Sequence, residues 1–367
     1  MKLSNKLKLS VSVIAALTSV FASVNAHAGN NGITVSISPA KNVLQASDDV
    51  YVNVTMTNTS TSPQYVLKYF TPFNGIEESL FNITRDGVKV RYLGAHYKRG
   101  EPKANDYLVL KPGKSYSQKV ELSAMYDMSI SGDYKISYNA ASYNLFSSSF
   151  TTNGFASTEK EIGTLQSEES SMWINGQHPR GYVAEPAPSY ASAVGALAGS
   201  LTYTNCSSSQ KTTVATAFAS AKTYASNANS YFAAGKTGSR YTTWFGTYNS
   251  TRYSKVKSNF TKIGDALNNK AVVVDCGCTQ SYFAYVYPNQ PYKIYVCKAF
   301  WSAPNTGTDS KAGTLVHELS HFDIVANTDD VVYGQSGSKS LAISNPTQAI
   351  TNADSHEYFA ENTPALN

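Results

Sequence analysis

Apolar residues recur at two different spacings in this chain of 367 residues, and the spacing changes between about residues 155 and 200. In the first half, apolar and polar residues alternate in short runs that turn signals such as Asp86-Gly87 separate. That alternation is typical of antiparallel strands joined by hairpins. In the second half, apolar residues recur every three or four positions, as on the buried face of a helix. Because the chain is also long enough for two cored domains, we predict an all-β domain followed by an α+β domain.

The alternating runs predict several short strands before residue 155. Their ranges are 33–38, 50–57, 65–70, 80–92 with the Asp-Gly turn inside it, 107–110 and 134–138. Several strands of this length favour an immunoglobulin-like sandwich. We place this domain at residues 29–155.

Residues 156–200 differ in composition, with Glu and Ser clusters followed by Gly, Pro and small residues. Such segments are usually exposed, and proteolytic nicking concentrates in them. We therefore predict a linker that contains a processing site, and we place the second domain at residues 201–367.

The second domain carries two strong helix signals. Ser207 and Gln210 stand at capping-box spacing before a helical pattern that reaches about Phe232. A second buried stripe runs from Tyr253 to Leu267. Two strands are predicted after it, around 271–275 and 294–297.

The N-terminus has the pattern of an export signal. Three lysines precede the apolar stretch Leu9 to Val24, and Ala26-His27-Ala28 follows it. This order predicts a signal peptide at residues 1–28 and a secreted, extracellular protein. The alternative is an uncleaved membrane anchor, although the apolar stretch is short. No other stretch is apolar enough to span a bilayer, so we expect no membrane contact after signal removal.

The charge pattern argues against a nucleic-acid partner. The formal net charge is +5, only 15% of the residues are charged, and they form no basic run. Proteins that bind nucleic acid normally concentrate Lys and Arg on one surface. We expect a monomer, the usual state of a secreted protein of this kind.

The four cysteines, Cys206, Cys276, Cys278 and Cys297, all lie in the second half. An even number in an exported protein favours two disulfides, and three pairings are possible. A four-cysteine zinc site is the alternative, but a single residue between Cys276 and Cys278 is too short for the usual zinc knuckle.

The segment His317-Glu318-Leu319-Ser320-His321 points to metal chemistry. Residues four apart share a helix face, so both imidazoles can bind one ion while Glu318 lies beside a metal-bound water. Zinc with three protein ligands lowers the pKa of that water, and a carboxylate can then take its proton. We therefore predict one Zn²⁺ in the second domain, with His317 and His321 as ligands and Glu318 as the catalytic base of peptide hydrolysis.

The third ligand is not decided by this motif alone. A metzincin would have a histidine ten residues after His317, but Asn327 stands there and residues 322–334 contain no histidine. A gluzincin would use a later glutamate, for which Glu357 or Glu361 could serve. A nearby aspartate, Asp330, is the third option.

The segment from Asn327 to Gly334 resembles the aspzincin, or deuterolysin, family, whose pattern after the metal helix is Gly-Thr-x-Asp-x-x-Tyr-Gly. The matching positions are Thr328, Asp330, Tyr333 and Gly334. Asn327 replaces the first glycine, which is a mild departure because Asn tolerates a left-handed backbone. The resemblance covers about residues 200–367 and implies a zincin-like catalytic domain, with Asp330 as third ligand and Tyr333 stabilising charge on the carbonyl oxygen.

Asp354 and Glu357, three residues apart, extend the likeness to the peptidyl-Lys metalloendopeptidases within this family. The resemblance implies that this pair receives a lysine ammonium, so that lysine-containing proteins or peptides are cut on the amino side of lysine. It also implies the pairing Cys206 with Cys276 and Cys278 with Cys297.

By analogy with similar secreted bacterial aspzincins, the first domain would be a pro-domain that inhibits the enzyme until it is removed. The chain itself would then be a toxin-like bacterial exoprotein with a role in virulence. A lysine inserted into the acidic pocket is one way to inhibit, but the sequence does not identify that lysine. The non-enzymatic alternative is a surface adhesin built on the sandwich, with a structural zinc.

Overall fold

The computed structural model describes residues 30–147, 150–151, 154–155, 162–183, 197 and 199–367. The predicted signal peptide at 1–28 and parts of the predicted linker lie outside these residues. Among the described residues, no helix combines the length and apolar character needed to cross a bilayer.

The strands are numbered β1 to β19 in chain order. They are β1 Ile33–Pro39, β2 Val43–Leu44, β3 Tyr51–Asn58, β4 Gln64–Leu67, β5 Phe81–Arg85, β6 Val88–Lys89, β7 His96–Lys98, β8 Tyr107–Leu110, β9 Ser115–Glu121, β10 Gly132–Ser142, β11 Phe146–Ser147, β12 Phe150–Thr151, β13 Gly154–Phe155, β14 Gly163–Gln166, β15 Ser170–Ile174, β16 Leu201–Thr204, β17 Val272–Asp275, β18 Ala284–Val286 and β19 Lys293–Val296.

The helices are numbered α1 to α8 in the same way. They are α1 Ser208–Ala233, α2 Ser239–Phe245, α3 Ser250–Asn269, α4 Lys298–Ser302, α5 Lys311–His321, α6 Gly334–Ser344, α7 Pro346–Ala349 and α8 Ala353–Glu361.

The first half forms a set of small, mainly antiparallel sheets. Their strand orders are β1-β3-β9, β2-β15-β10-β5-β6 with β14 also on β10, β11-β4-β8, and the pair β12-β13. Buried residues from all three larger sheets, such as Val54, Ile136 and Val66, belong to one hydrophobic core. The all-β character agrees with the prediction, but this strand order does not by itself establish an immunoglobulin-like sandwich.

The hairpin predicted at Asp86-Gly87 is confirmed. Arg85 pairs with Val88 across the turn, and the two turn residues have positive φ values of 51° and 82°. The strand predicted at 65–70 is too long: it ends at Leu67, and Lys68–Phe70 form a 3₁₀ turn.

The linker predicted at 156–200 is not irregular throughout. Strands β14 and β15 lie inside it and pair with β10, and their buried residues Leu165, Met172 and Ile174 belong to the first core. Each of these strands has alternating buried residues, but the many Ser and Glu residues of the segment concealed that alternation in the sequence.

In the second half, the helix signals are confirmed. Helix α1 begins with the predicted capping box, in which Ser207 accepts a hydrogen bond from the backbone of Gln210 and the Gln210 side chain bonds back to Ser207. Helices α1, α3 and α5 contribute Phe218, Phe260 and Leu315 to a second hydrophobic core.

The sheet of the second half has the order β16-β17-β19-β18-β7. Its first three strands are parallel, and β18 is antiparallel to β19. Only β17 and β19 were predicted, because β16 and β18 are too short and mixed in composition to give a clear signal. The last strand, β7, comes from the first half of the chain and pairs antiparallel with β18.

Candidate active site

Helix α5 positions the histidine pair. Ser310 caps its N-terminus by accepting a hydrogen bond from the Gly313 N–H, and every residue of the helix is buried. The one-turn spacing brings His317 and His321 to the same face, where their Nε2 atoms lie 3.1 Å apart.

The loop after α5 returns Asp330 to that face. The chain turns at Asn327, whose φ of 51° is the left-handed conformation expected there. Asp330 Oδ1 lies 3.2 Å from His317 Nε2 and 3.6 Å from His321 Nε2. The neighbouring Thr328 carbonyl lies 2.8 Å from His321 Nδ1 and orients that ring.

The three atoms form a triangle whose size fits a zinc ion. A tetrahedral site with bonds of about 2.0–2.1 Å has edges of about 3.3–3.4 Å, close to the separations of 3.1, 3.2 and 3.6 Å. Asp330 Oδ1 is buried and accepts no hydrogen bond. Burial, with the charge of Asp330 only partly opposing it, lowers the pKa of His321 to about 3, which favours the neutral imidazole that binds metals. Burial also acts to lower the pKa of His317, but the charge of Asp330 and the contacts with Asp354 and Glu357 outweigh it and raise this pKa above its ordinary value.

Glu318 lies beside this triangle on the same helix. It is fully buried, and neither of its carboxylate oxygens has a hydrogen-bond partner. Burial raises the pKa of Glu318 well above its ordinary value, although the neighbouring His317 opposes the shift. A buried, unpartnered carboxylate of this kind suits a proton acceptor.

The two glutamates considered as alternative ligands lie elsewhere. Glu357 Oε2 is 3.2 Å from Nδ1 of His317, on the opposite edge of the ring from Nε2. Glu361 accepts hydrogen bonds from the backbone N–H and the hydroxyl of Ser310, at the other end of α5. The carboxylate that pairs with the Nε2 atoms of both histidines is that of Asp330, and neither glutamate makes such a contact.

Asp354 and Glu357, on α8, form a buried acidic pocket next to His317. Nδ1 of His317 lies 2.9 Å from Asp354 Oδ1, so the pocket and the histidine pair share this ring. The ammonium group of Lys98 occupies the pocket, at 3.0 Å from Asp354, 3.0 Å from Glu357 and 3.2 Å from Asp309.

Lys98 is fully buried. Burial by itself would lower the pKa of Lys98, but the charges of Asp354 and Glu357 outweigh it and raise the pKa well above its ordinary value. Burial likewise opposes the influence of Lys98 on Asp354, yet the net effect is a lowered pKa of that carboxyl. The lysine is therefore held as a cation against an ionised aspartate.

Tyr333 is also engaged by the first half of the chain. Its hydroxyl donates a hydrogen bond of 2.5 Å to Oε1 of Glu78, and both residues are buried. Burial, followed by the charge of Asp330, raises the pKa of Glu78 well above its ordinary value.

Strand β7 brings these contacts to the site. It extends the second sheet along β18, and the Tyr97 N–H donates a hydrogen bond of 3.2 Å to Oδ2 of Asp330. An extended segment added to the edge of a sheet is also how many peptides bind. Sequence reasoning missed Lys98, Glu78 and Asp309, because no local pattern distinguishes them from other charged residues.

The cysteines form two disulfides, Cys206–Cys276 and Cys278–Cys297. This is the pairing that the resemblance implied, and the four-cysteine zinc site is wrong. The bonds tie β16 to the end of β17, and the following loop to the end of β19.

Comparisons of the sequence with family models and with known proteins agree with one another. Residues 230–361 match the model of the aspzincin M35 family, described as lysine-specific metallo-endopeptidase. An extracellular protease of Aeromonas hydrophila is 45% identical over 88% of this chain and 90% of its own length. A peptidyl-Lys metalloendopeptidase of Armillaria mellea is 37% identical over 91% of this chain and 93% of its own. Another, from Pleurotus ostreatus, is 50% identical over 45% of this chain and 99% of its own.

Proposed function

Because the chain belongs to the aspzincin family of metalloendopeptidases, we propose that it is exported as an inactive precursor and cuts proteins on the amino side of lysine. Its substrates are proteins or peptides, as for the family. The observation that supports the finer proposal best is Lys98, fully buried in the pocket formed by Asp354 and Glu357.

His317, His321 and Asp330 would hold one zinc ion. When bound, zinc supplies a Lewis acid and lowers the pKa of a coordinated water toward neutrality. Glu318, adjacent on the helix and without a partner of its own, would accept the proton of the attacking water. Tyr333, once free of Glu78, would donate a hydrogen bond to the carbonyl oxygen as negative charge develops there.

The acidic pocket explains the proposed choice of lysine. Two neighbouring buried carboxylates repel each other and are costly to ionise, and an ammonium ion between them relieves both effects. Lys98 makes ion pairs of 3.0 Å with both carboxylates, from a strand aligned along the sheet edge. A substrate lysine could make the same pairs if its backbone replaced β7.

The same contacts support inhibition by the first half of the chain. Strand β7 occupies the sheet edge, Lys98 fills the pocket, and Glu78 engages Tyr333. A substrate cannot use these groups until the first half is removed, so we propose that residues 29–155 together with β14 and β15 act as the pro-domain. The Pleurotus ostreatus peptidase aligns over 167 residues, which is the length of the predicted catalytic domain 201–367.

Export is supported by the lysine-rich, apolar start of the chain, by the two disulfides and by the similarity to an extracellular protease. Disulfides persist in oxidising compartments outside the cytosol. The adhesin alternative has no support, because the relatives of this chain described above are peptidases. We expect the processed enzyme to be a monomer.

The proposal is tested by digesting a denatured protein with the processed enzyme and identifying the fragments by mass spectrometry, with and without a zinc chelator. We expect chelator-sensitive fragments that begin with lysine. A Glu357→Gln variant removes one pocket charge and should lose part of the lysine preference while it still cuts. Chelator-sensitive cuts without a lysine preference would refute the pocket, and the absence of any cut would refute the proposed site.

The gluzincin alternative is tested on the same protein. If Asp330 is the third ligand, Asp330→Ala abolishes zinc retention, whereas Glu357→Gln retains one zinc per chain. The opposite result would make Glu357 the ligand.

A further inference from the structure

We infer that His96 of strand β7 is a fourth protein ligand to the metal in the uncut chain. This inference rests on the metal site proposed above. It assigns to the first half of the chain a contact with the metal itself, separate from the contact of Lys98 with the acidic pocket.

The strand geometry directs His96 toward the metal site. Alternate residues of a strand point to the same side, so His96 and Lys98 share one face and Tyr97 takes the other. Lys98 anchors that face in the acidic pocket. Tyr97 instead packs against Tyr282 and Tyr285, with ring centroids 4.9 and 5.6 Å away.

The surroundings of His96 are those of a metal ligand. One ligand atom each from His96, His321 and Asp330 lie within 4.8 Å of one another, and all three residues are buried. The rings of His96 and His321 have centroids 4.8 Å apart. His96 is 6% exposed, and its Nδ1 has no hydrogen-bond partner. A buried polar atom without a partner is unfavourable, and coordination of a metal would satisfy the ring.

The carboxylate of Asp330 is oriented so that one of its oxygens is available to the same metal. Its Oδ2 accepts the Tyr97 N–H, while its Oδ1 accepts no hydrogen bond and faces the histidine pair. The residue next to His96 therefore fixes the carboxylate in the orientation in which Oδ1 remains available. The hydrogen bond from Tyr97 to Asp330 and the contact of His96 with His321 both come from β7. This strand therefore orients a metal ligand as well as covering the site.

A fourth protein ligand changes what the site can do. Zinc with four protein ligands is a closed, structural site, whereas catalysis needs one position for water. His96 would occupy that position and leave Glu318 with no water to deprotonate. With Lys98 in the pocket, the bond between Tyr97 and Lys98 is the one that the enzyme should cleave. Without a metal-bound water, that bond would remain intact in the uncut chain. Removal of the first half would then open the fourth position.

The inference is tested on the full-length chain carrying Glu318→Gln, which removes the proposed peptidase activity of the chain itself. Zinc-edge X-ray absorption counts the imidazoles around the metal, and the visible spectrum of the cobalt-substituted chain reports the identity and geometry of its ligands. We expect three imidazoles in this chain and two after His96→Ala or His96→Gln, with a shift of the cobalt bands as water enters. The matched control is His178→Ala, since His178 stacks on Tyr182 in the first half of the chain.

An unchanged count of two imidazoles in the parent and in both His96 variants would overturn the inference. Circular dichroism of the same samples shows whether each variant is folded, and the Gln variant provides a second test if the Ala variant is not. A full-length Asp330→Ala chain separates failure of the His96 inference from failure of the proposed metal site. If it loses zinc while the His96 variants change nothing, only the role of His96 fails; if it keeps an unchanged site, the proposed metal site fails.

Discussion

At the scale of single residues, the candidate site is a set of groups that are buried and partly unsatisfied. Glu318 and Asp330 Oδ1 lack partners, while Lys98 has three carboxylates around it. Burying a charge without a partner costs several kcal/mol. Such groups are therefore expected where a bound ligand or ion supplies the missing partner.

The first residue-scale prediction concerns the base. Glu318→Gln keeps the shape of the side chain but cannot accept a proton, so kcat should fall by about 10²–10⁴-fold. Zinc content should remain at one per chain, because Glu318 is not among the proposed ligands. Measurement of kcat together with zinc by plasma mass spectrometry checks both parts, and an active Glu318→Gln enzyme would refute the mechanism.

The second residue-scale prediction concerns Lys98. Lys98→Met leaves the buried Asp354 and Glu357 without their cation, which should lower the free energy of unfolding of the full chain by about 3–5 kcal/mol. The exposed Lys111 is the matched control, and Lys111→Met should change it by less than about 0.5 kcal/mol. Urea unfolding of the two full-length variants in the Glu318→Gln background measures the difference.

The same two variants test the occupation of the pocket. A fluorescent peptide that contains lysine should bind the full-length Lys98→Met chain more tightly than the full-length Lys111→Met chain, because only in the first does the acidic pocket lack a cation. Equal affinities would show that Lys98 does not compete with substrate.

At the scale of elements, helix α5 and strand β7 together define the site. The helix fixes the histidine pair through its own periodicity, and the strand is held by pairing with β18, where Val286 faces His96 and Ala284 faces Lys98. A three-residue strand is not stable alone. The position of β7 therefore depends on its pairing with the sheet edge and on the burial of His96 and Lys98 at its two ends.

An element-scale prediction concerns the start of α1. Ser207→Ala removes both the acceptor for the Gln210 N–H and one half of the capping box, so the free energy of unfolding should fall by about 1 kcal/mol. Ser226→Ala, at an exposed position inside the same helix, should be neutral or slightly stabilising. Thermal unfolding of both variants measures the difference, and equal losses would contradict a capping role for Ser207.

At the scale of the whole molecule, strand β7, which we propose to be inhibitory, lies well before the predicted processing region in the chain. A cut in the linker does not itself break the pairing of β7 with β18 or the ion pairs of Lys98. We therefore expect a cut but still associated form with low activity, which becomes active when the two parts separate or the first part is degraded.

This whole-molecule prediction is checked by cutting the linker with an added protease and diluting the product. Activity per molecule should rise on dilution, and size-exclusion chromatography should show the two fragments together at high concentration and apart at low concentration. Full activity immediately after the cut, at any concentration, would contradict it.

Local patterns by themselves determined much of the framework. The spacing of His317 and His321 places both rings on one helix face, the Asp-Gly pair makes a hairpin, and Ser207 with Gln210 starts α1. These features depend on neighbours within a few residues, and the sequence contains those neighbours. The change in periodicity likewise separated an all-β half from a mixed half.

Only the tertiary structure decided what the first half does at the site. Lys98 and Asp354 are 256 positions apart, and Tyr333 and Glu78 are 255 apart, so no local pattern could relate them. Strand β7 is too short to be predicted, and it joins a sheet whose other strands begin at Leu201. Pairing between such distant segments depends on edge hydrogen bonds and shared burial, which exist only once both halves have folded.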